Sequence, residues 1–148
     1  MTESYFETVE IGEQRETQAR TVTEADVVNF AGVSGDFNHL HTDAETMGES
    51  QFGERIAHGM LVFSMATGLL WQSRSEQERD AVVAFYGIDE VRFVGPTFIG
   101  DTIHVEIEVL DKQERDHPVA TGVVRYDIDV VTQDDDTVLS CEMLSLVT

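Results

Sequence analysis

Between Met60 and Trp71 the chain reads Met-Leu-Val-Phe-Ser-Met-Ala-Thr-Gly-Leu-Leu-Trp, apolar almost all round and free of charge. Such a segment has to be enclosed by other apolar surface. It falls well short of the roughly 20 residues that cross a bilayer, so the pattern predicts a buried helix. Gly68 within it costs about 1 kcal/mol relative to alanine, which leads us to expect another backbone packed close against that position.

The rest of the chain supplies the enclosure. Ile103, Val105, Ile107 and Val109 alternate with His104, Glu106 and Glu108; Ala120, Val124, Tyr126, Ile128 and Val130 alternate with Thr121, Arg125, Asp127 and Asp129. A period of two marks half-buried strands, and His104 then reads as a solvent-facing strand residue. Val82–Phe93 and Val138–Val147 complete a predicted set of four, broken by Gly95-Pro96 and Gly100-Asp101, with Asp134-Asp135-Asp136 as a hairpin turn. This order argues an α+β domain, an antiparallel β-sheet wrapped around a long central helix. With 148 residues the length suits one domain, 1–148. Upstream, Thr23 and Asp26 form a capping arrangement that opens a helix ending near Gly35. Thr42 or Asp43 caps a short turn through Met47, and residues 44–55 and 72–81 contain the loops.

Charge excludes whole classes of partner. Twenty-nine acidic side chains stand against nine basic ones, eight arginines and Lys112, for a net charge of −20. That surface repels phosphate backbones, so nucleic acid is not expected as a partner. With 41% hydrophobic residues the chain nevertheless folds, and a halophilic cytoplasm, where salt screens the self-repulsion, is its natural setting. The lone Cys141 lies in an alternating apolar segment and reads as a small buried hydrophobe in a reducing compartment. No apolar run reaches membrane-span length, so we expect a soluble, cytoplasmic protein without a membrane partner.

The run Ser34-Gly35-Asp36-Phe37-Asn38-His39-Leu40-His41 carries the chemistry. Asp36 and His41 lie five residues apart on a glycine-opened turn, and a carboxylate with a neighbouring imidazole is the equipment for acid/base work on water. Turn capping is the plainer use of an aspartate after glycine. His39, His41 and Asp43 are also conceivable zinc ligands, but thiolates and an established ligand spacing are missing, and we expect no metal. Ser34 lacks the Gly-x-Ser-x-Gly surroundings of a nucleophile. His58, before the apolar helix, reads as a satisfied structural histidine shaping the Gly59 turn.

Three ordered blocks, Gly35-Asp36-x-Asn38-x-Leu40-His41, Ile56-Ala57-His58-Gly59-Met60 and Val91-Arg92-Phe93-Val94-Gly95-Pro96 with Gly100-Asp101-Thr102-Ile103, resemble the MaoC-like dehydratases, which include the (R)-specific enoyl-CoA hydratases. The resemblance spans essentially the whole chain and implies the hot-dog fold. It assigns to Asp36 and His41 the holding and activation of water, and to the Gly59 N–H the polarisation of a thioester oxygen. Beside these, Asn38, through its amide, and His58 are expected as substrate-binding or supporting residues. The implied reaction is reversible hydration of a trans-2-enoyl-CoA to the (R)-3-hydroxyacyl-CoA, with no cofactor beyond the coenzyme A of the substrate. The resemblance further implies at least a homodimer, with the coenzyme A arm along a subunit interface and its phosphates near some of Arg55, Arg74, Arg79, Arg92 and Arg125. A hot-dog thioesterase and a non-catalytic acyl-CoA binding or assembly subunit are the rival functions. One departure stands out: family members commonly carry proline where this chain has His39, which is expected to loosen the turn or to fill the same space without consequence.

Overall fold

The computed structural model describes residues 3–148. In chain order the elements are α1 (Tyr5–Thr8), β1 (Gln14–Glu16), β2 (Arg20–Thr21), α2 (Glu24–Ser34), α3 (His39–Thr42), α4 (Ala44–Gly48), α5 (Gly59–Ser73), α6 (Glu76–Ala81), β3 (Val82–Phe93), β4 (Thr102–Glu114), β5 (Gly122–Thr132) and β6 (Thr137–Val147). The strands form one antiparallel sheet in the order β1-β4-β5-β6-β3, with β2 also on β4. The α+β expectation of a sheet around one central helix is borne out.

Side-chain alternation explains how the sheet meets the helix. Ile103, Val105, Ile107 and Val109 of β4, with Tyr126, Ile128 and Val130 of β5 and Leu139, Cys141 and Met143 of β6, are buried in the same core as Leu61, Val62, Met65, Ala66 and Leu69 of α5. β4 outlasts its alternating residues. A register shift between Val109 and Asp111 breaks the pattern while Lys112–Glu114 go on pairing with β5, so backbone pairing, invisible in residue types, sets the strand's true end.

Several expectations need correcting. Among the described residues the sheet has six strands, because the polar segments β1 and β2 pair with β4 without showing any hydrophobic period. The expected loop 72–81 contains α6, whose Ser75 hydroxyl accepts from Glu78 N–H, and α1 opens on a full Ser4/Glu7 capping box; both signatures were there to be read in the sequence. The central helix is not enclosed all round. Met60, Ser64, Gly68 and Trp71 form an exposed stripe along α5, since a single curled sheet covers only part of a helix's circumference. No backbone approaches Gly68: a Cβ there would meet nothing within 4 Å.

Two surfaces remain notable. β3 is an edge strand with β6 as its one neighbour, yet Phe85, Tyr86, Ile88 and Phe93 on it are exposed. Across the polar face of the sheet, like charges stand directly opposite one another: Glu106 with Asp129, Glu108 with Asp127, and Asp127 with Glu142. Among the described residues no helix is long and apolar enough to cross a membrane.

Candidate active site

α2 ends on Gly35, which adopts φ +75° and returns its N–H to Ala31 O at 2.8 Å. A left-handed C-terminal residue favours glycine, and it turns the chain so that Asp36 emerges beside the start of α5. Asp36 Oδ1 accepts from the Asn38 backbone N–H at 3.2 Å and from Asn38 Nδ2 at 2.8 Å. Those two bonds from Asn38 hold the carboxyl below the usual carboxylate range, and both fall on one oxygen, leaving Oδ2 available. Asn38 also caps α3, its Oδ1 accepting from Leu40 N–H at 2.9 Å. His39 then occupies the first position of α3, whose N–H is an orphan in any helix and where proline is at home. Asn38 and Thr42 secure the turn, the latter through Oγ1 bonds to Phe37 O and Asn38 O at 2.8 and 2.9 Å.

His41 points inward from the last turn of α3 and is 6% exposed. Its Nδ1 lies 2.8 Å from Ile56 O, and a carbonyl only accepts, so Nδ1 carries the proton and Nε2 the lone pair. Burial, foremost, lowers the His41 pKa below the usual histidine value. His58, 2% exposed, donates through Nε2 to Asp36 O at 2.9 Å, and its Nδ1 has no partner among the described residues. The two imidazoles stack with centroids 3.7 Å apart and planes inclined by 27°, and Phe30 packs edge-on against His58 at 4.9 Å. His58 thereby ties the Asp36 turn to the start of α5.

Gly59 is the first residue of α5 behind His58, which makes no side-chain cap; Leu61 and Val62 N–H return to His58 O at 3.0 and 3.2 Å, while the Gly59 N–H has no partner among the described residues and lies at the positive end of the helix. A side chain at Gly59 has no room. Its Cβ would lie 2.6 Å from Phe93 Cδ1. Asp36, His41, His58, Gly59, Met60 and Phe93 share the wall of one cavity of about 440 Å³. Sequence reasoning missed two contributors here: the Ile56 carbonyl, which no residue type signals, and Phe93, quoted only within a motif.

His39 is exposed, and Asp43 caps α4, accepting from Thr46 N–H and Oγ1 at 3.0 and 2.8 Å, so the set conceived from the sequence does not converge. Asp36, His41 and His58 do offer ligand atoms within 4.8 Å of one another; backbone carbonyls occupy His41 Nδ1 and His58 Nε2, so the atoms facing one another are His41 Nε2, His58 Nδ1 and the Asp36 carboxylate. Arg55, considered for coenzyme A, is held by Glu24 and by His41 O at 3.1 Å; Arg125 is held by Asp89 and Glu142 at 2.8 and 3.1 Å.

Residues 6–132 match the model of the MaoC like domain. The chain belongs to the MaoC-like dehydratase family. The expected resemblance is borne out, and the architecture is the hot-dog fold. This MaoC-like chain is 43% identical over 103 residues to Protein MaoC of Klebsiella aerogenes, covering 70% of this chain but 30% of that protein. It is 34% identical over 119 residues to the (R)-specific enoyl-CoA hydratase of Aeromonas caviae, covering 80% of this chain and 84% of the relative. Among solved structures, a monoamine oxidase regulatory protein from Archaeoglobus fulgius superposes with a TM-score of 0.89 at 44% identity, over 97% of this chain and 93% of its own.

Proposed function

We propose that this MaoC-like domain reversibly adds water to a trans-2-enoyl-CoA, giving the (R)-3-hydroxyacyl-CoA. The observation that carries the reading is the convergence of two proton acceptors, Asp36 Oδ2 and His41 Nε2, on a cavity that also holds the Gly59 helix start. A water donating one O–H to each acceptor turns its oxygen lone pair toward the cavity. That lone pair forms the new bond to C3 while Asp36 takes a proton; the C2–C3 π electrons move toward the thioester oxygen, and the Gly59 N–H stabilises the developing oxyanion. Return of a proton to C2 completes the addition of one water with no change of oxidation state. The Aeromonas relative bears the matching name and supports the substrate class.

A second copy of the chain belongs to this proposal. The exposed Tyr86, Ile88 and Phe93 on the unpaired β3 edge are apolar side chains that a monomer leaves wet. We assign them to a homodimer, whose mass in solution by sedimentation checks the assignment; a monomer at micromolar concentration in molar KCl would sink it.

The decisive assay is crotonyl-CoA in molar KCl with wild type, Asp36→Asn and His41→Ala. Hydration abolished by either substitution is expected. Release of free coenzyme A thiol would instead identify a thioesterase, and tight acyl-CoA binding without turnover at any chain length would identify a binding subunit.

A further inference from the structure

A second cavity, of about 210 Å³, opens at the other end of α5. Its wall is mostly apolar, including Leu70, Phe85, Ile128 and Met143, yet it holds two guanidinium groups, Arg15 and Arg74. Arg15 is matched by Glu78, Nη1 to Oε1 at 2.6 Å. Arg74 has no carboxylate partner among the described residues: its Nη2 reaches Ser145 Oγ at 3.5 Å, and its guanidinium carbon stands 5.6 Å from the Trp71 ring centroid. Ser145 is itself 2% exposed, a hydroxyl set into the apolar wall. In a chain with 29 carboxylates, a half-buried cation lining an apolar cavity without one is an unfilled anion partner.

Both cavities border α5. Met60 borders the first, Thr67 and Trp71 border the second, and the exposed Ser64 and Gly68 leave the helix surface low between them. From Gly59 to Leu70 the helix rises about 16 Å, and to Arg74 about 22 Å, the reach of a long acyl chain and not of a four-carbon one. Placement of Arg74 at the C-cap of α5 accounts for its attraction to the helix end, but not for the buried hydroxyl beside it or for the cavity both face.

We propose that the second cavity receives the distal end of the acyl chain and that Arg74, with Ser145, reads a carboxylate there, making long ω-carboxy-enoyl-CoAs the preferred substrates. The inference rests on the hydratase reading for its reaction but on the cavity for its selectivity. Arg74 is a specificity-determining residue, remote from the reacting atoms.

The test compares trans-2-hexadecenedioyl-CoA with trans-2-hexadecenoyl-CoA in kcat/KM, and their saturated counterparts in calorimetric binding, for wild type, Arg74→Gln and Ser145→Ala. We expect wild type to favour the carboxylate-ended ligands by at least about tenfold, the scale of one charge-assisted hydrogen bond, with the preference lost in Arg74→Gln through KM and weakened in Ser145→Ala. The binding arm needs no turnover, so a retained preference without hydration refutes the hydratase reading and leaves this one standing. Equal binding of the two ends, no binding of either, or an Arg74→Gln protein changed only in melting or in oligomeric state overturns it.

Discussion

His41 and His58 stack 3.7 Å apart, each ring fixed by one bond to a backbone carbonyl, Ile56 O for His41 and Asp36 O for His58. Placing a proton on His41 therefore means charging a buried ring against its neighbour. Burial and His58 both lower its pKa, which keeps Nε2 an acceptor at neutral pH.

The acid limb of hydration is thus expected to lie below pH 6.5, the ordinary histidine value, since His41 stays neutral until the pH falls to its lowered pKa. The stability linkage has the same sign. Above 6.5 the folded protein has its full stability, and as pH falls toward the folded pKa the unfolded chain binds the proton first. A kcat/KM profile with its acid midpoint at or above 6.5 would refute this.

Asn38→Ala removes a helix cap and one of the two donors to Asp36 Oδ1. We expect a loss of about 1 kcal/mol in denaturant unfolding and an upward move of the Asp36 carboxyl toward its ordinary range in a carboxyl-detected NMR titration. An unmoved Asp36 would mean that the backbone N–H of Asn38 alone sets its pKa.

Gly59→Ala drives a methyl group into the Phe93 ring. Overpacking of this kind costs about 1–3 kcal/mol, and tilting the oxyanion donor is expected to cost about 10²–10³ in kcat. The double variant Gly59→Ala/Phe93→Ala should recover most of the stability; no recovery in chemical unfolding would move the constraint away from Phe93.

Facing acids on the sheet are expected to make the fold depend on salt. Burial, then Asp129, Glu108 and Glu142, push the Asp127 carboxyl up, the sign of a carboxylate that destabilises the fold as it ionises. Molar KCl shortens the Debye length to about 3 Å, so Tm should rise steeply with KCl, and Asp127→Asn should raise Tm at low salt more than at high salt. Melting that is flat between low and molar KCl would remove the halophilic reading.

Much of the site was legible because its signals are local. Gly35 ends a helix, Asn38 caps the next, and Asp36 and His41 follow at fixed spacing, so each position announces its backbone role through residue type. Arg74 and Ser145 carry no such signal, lying 71 residues apart and meeting only when β6 pairs into the sheet. The exposed stripe of α5 was likewise misread, because Ser64 and Gly68 are small enough to fit a buried helix and an open one equally well.

Sequence by itself determined the periods, the caps and the nearness of Asp36 to His41, since these follow from chain-neighbour geometry and from which side chains can be buried. Only the tertiary structure decided which face of the central helix stays open, that His58 stacks on His41, and that Phe93 forbids a side chain at Gly59. Those are contacts between segments far apart in the chain, fixed by how one sheet curls around one helix, and no local pattern encodes that curvature.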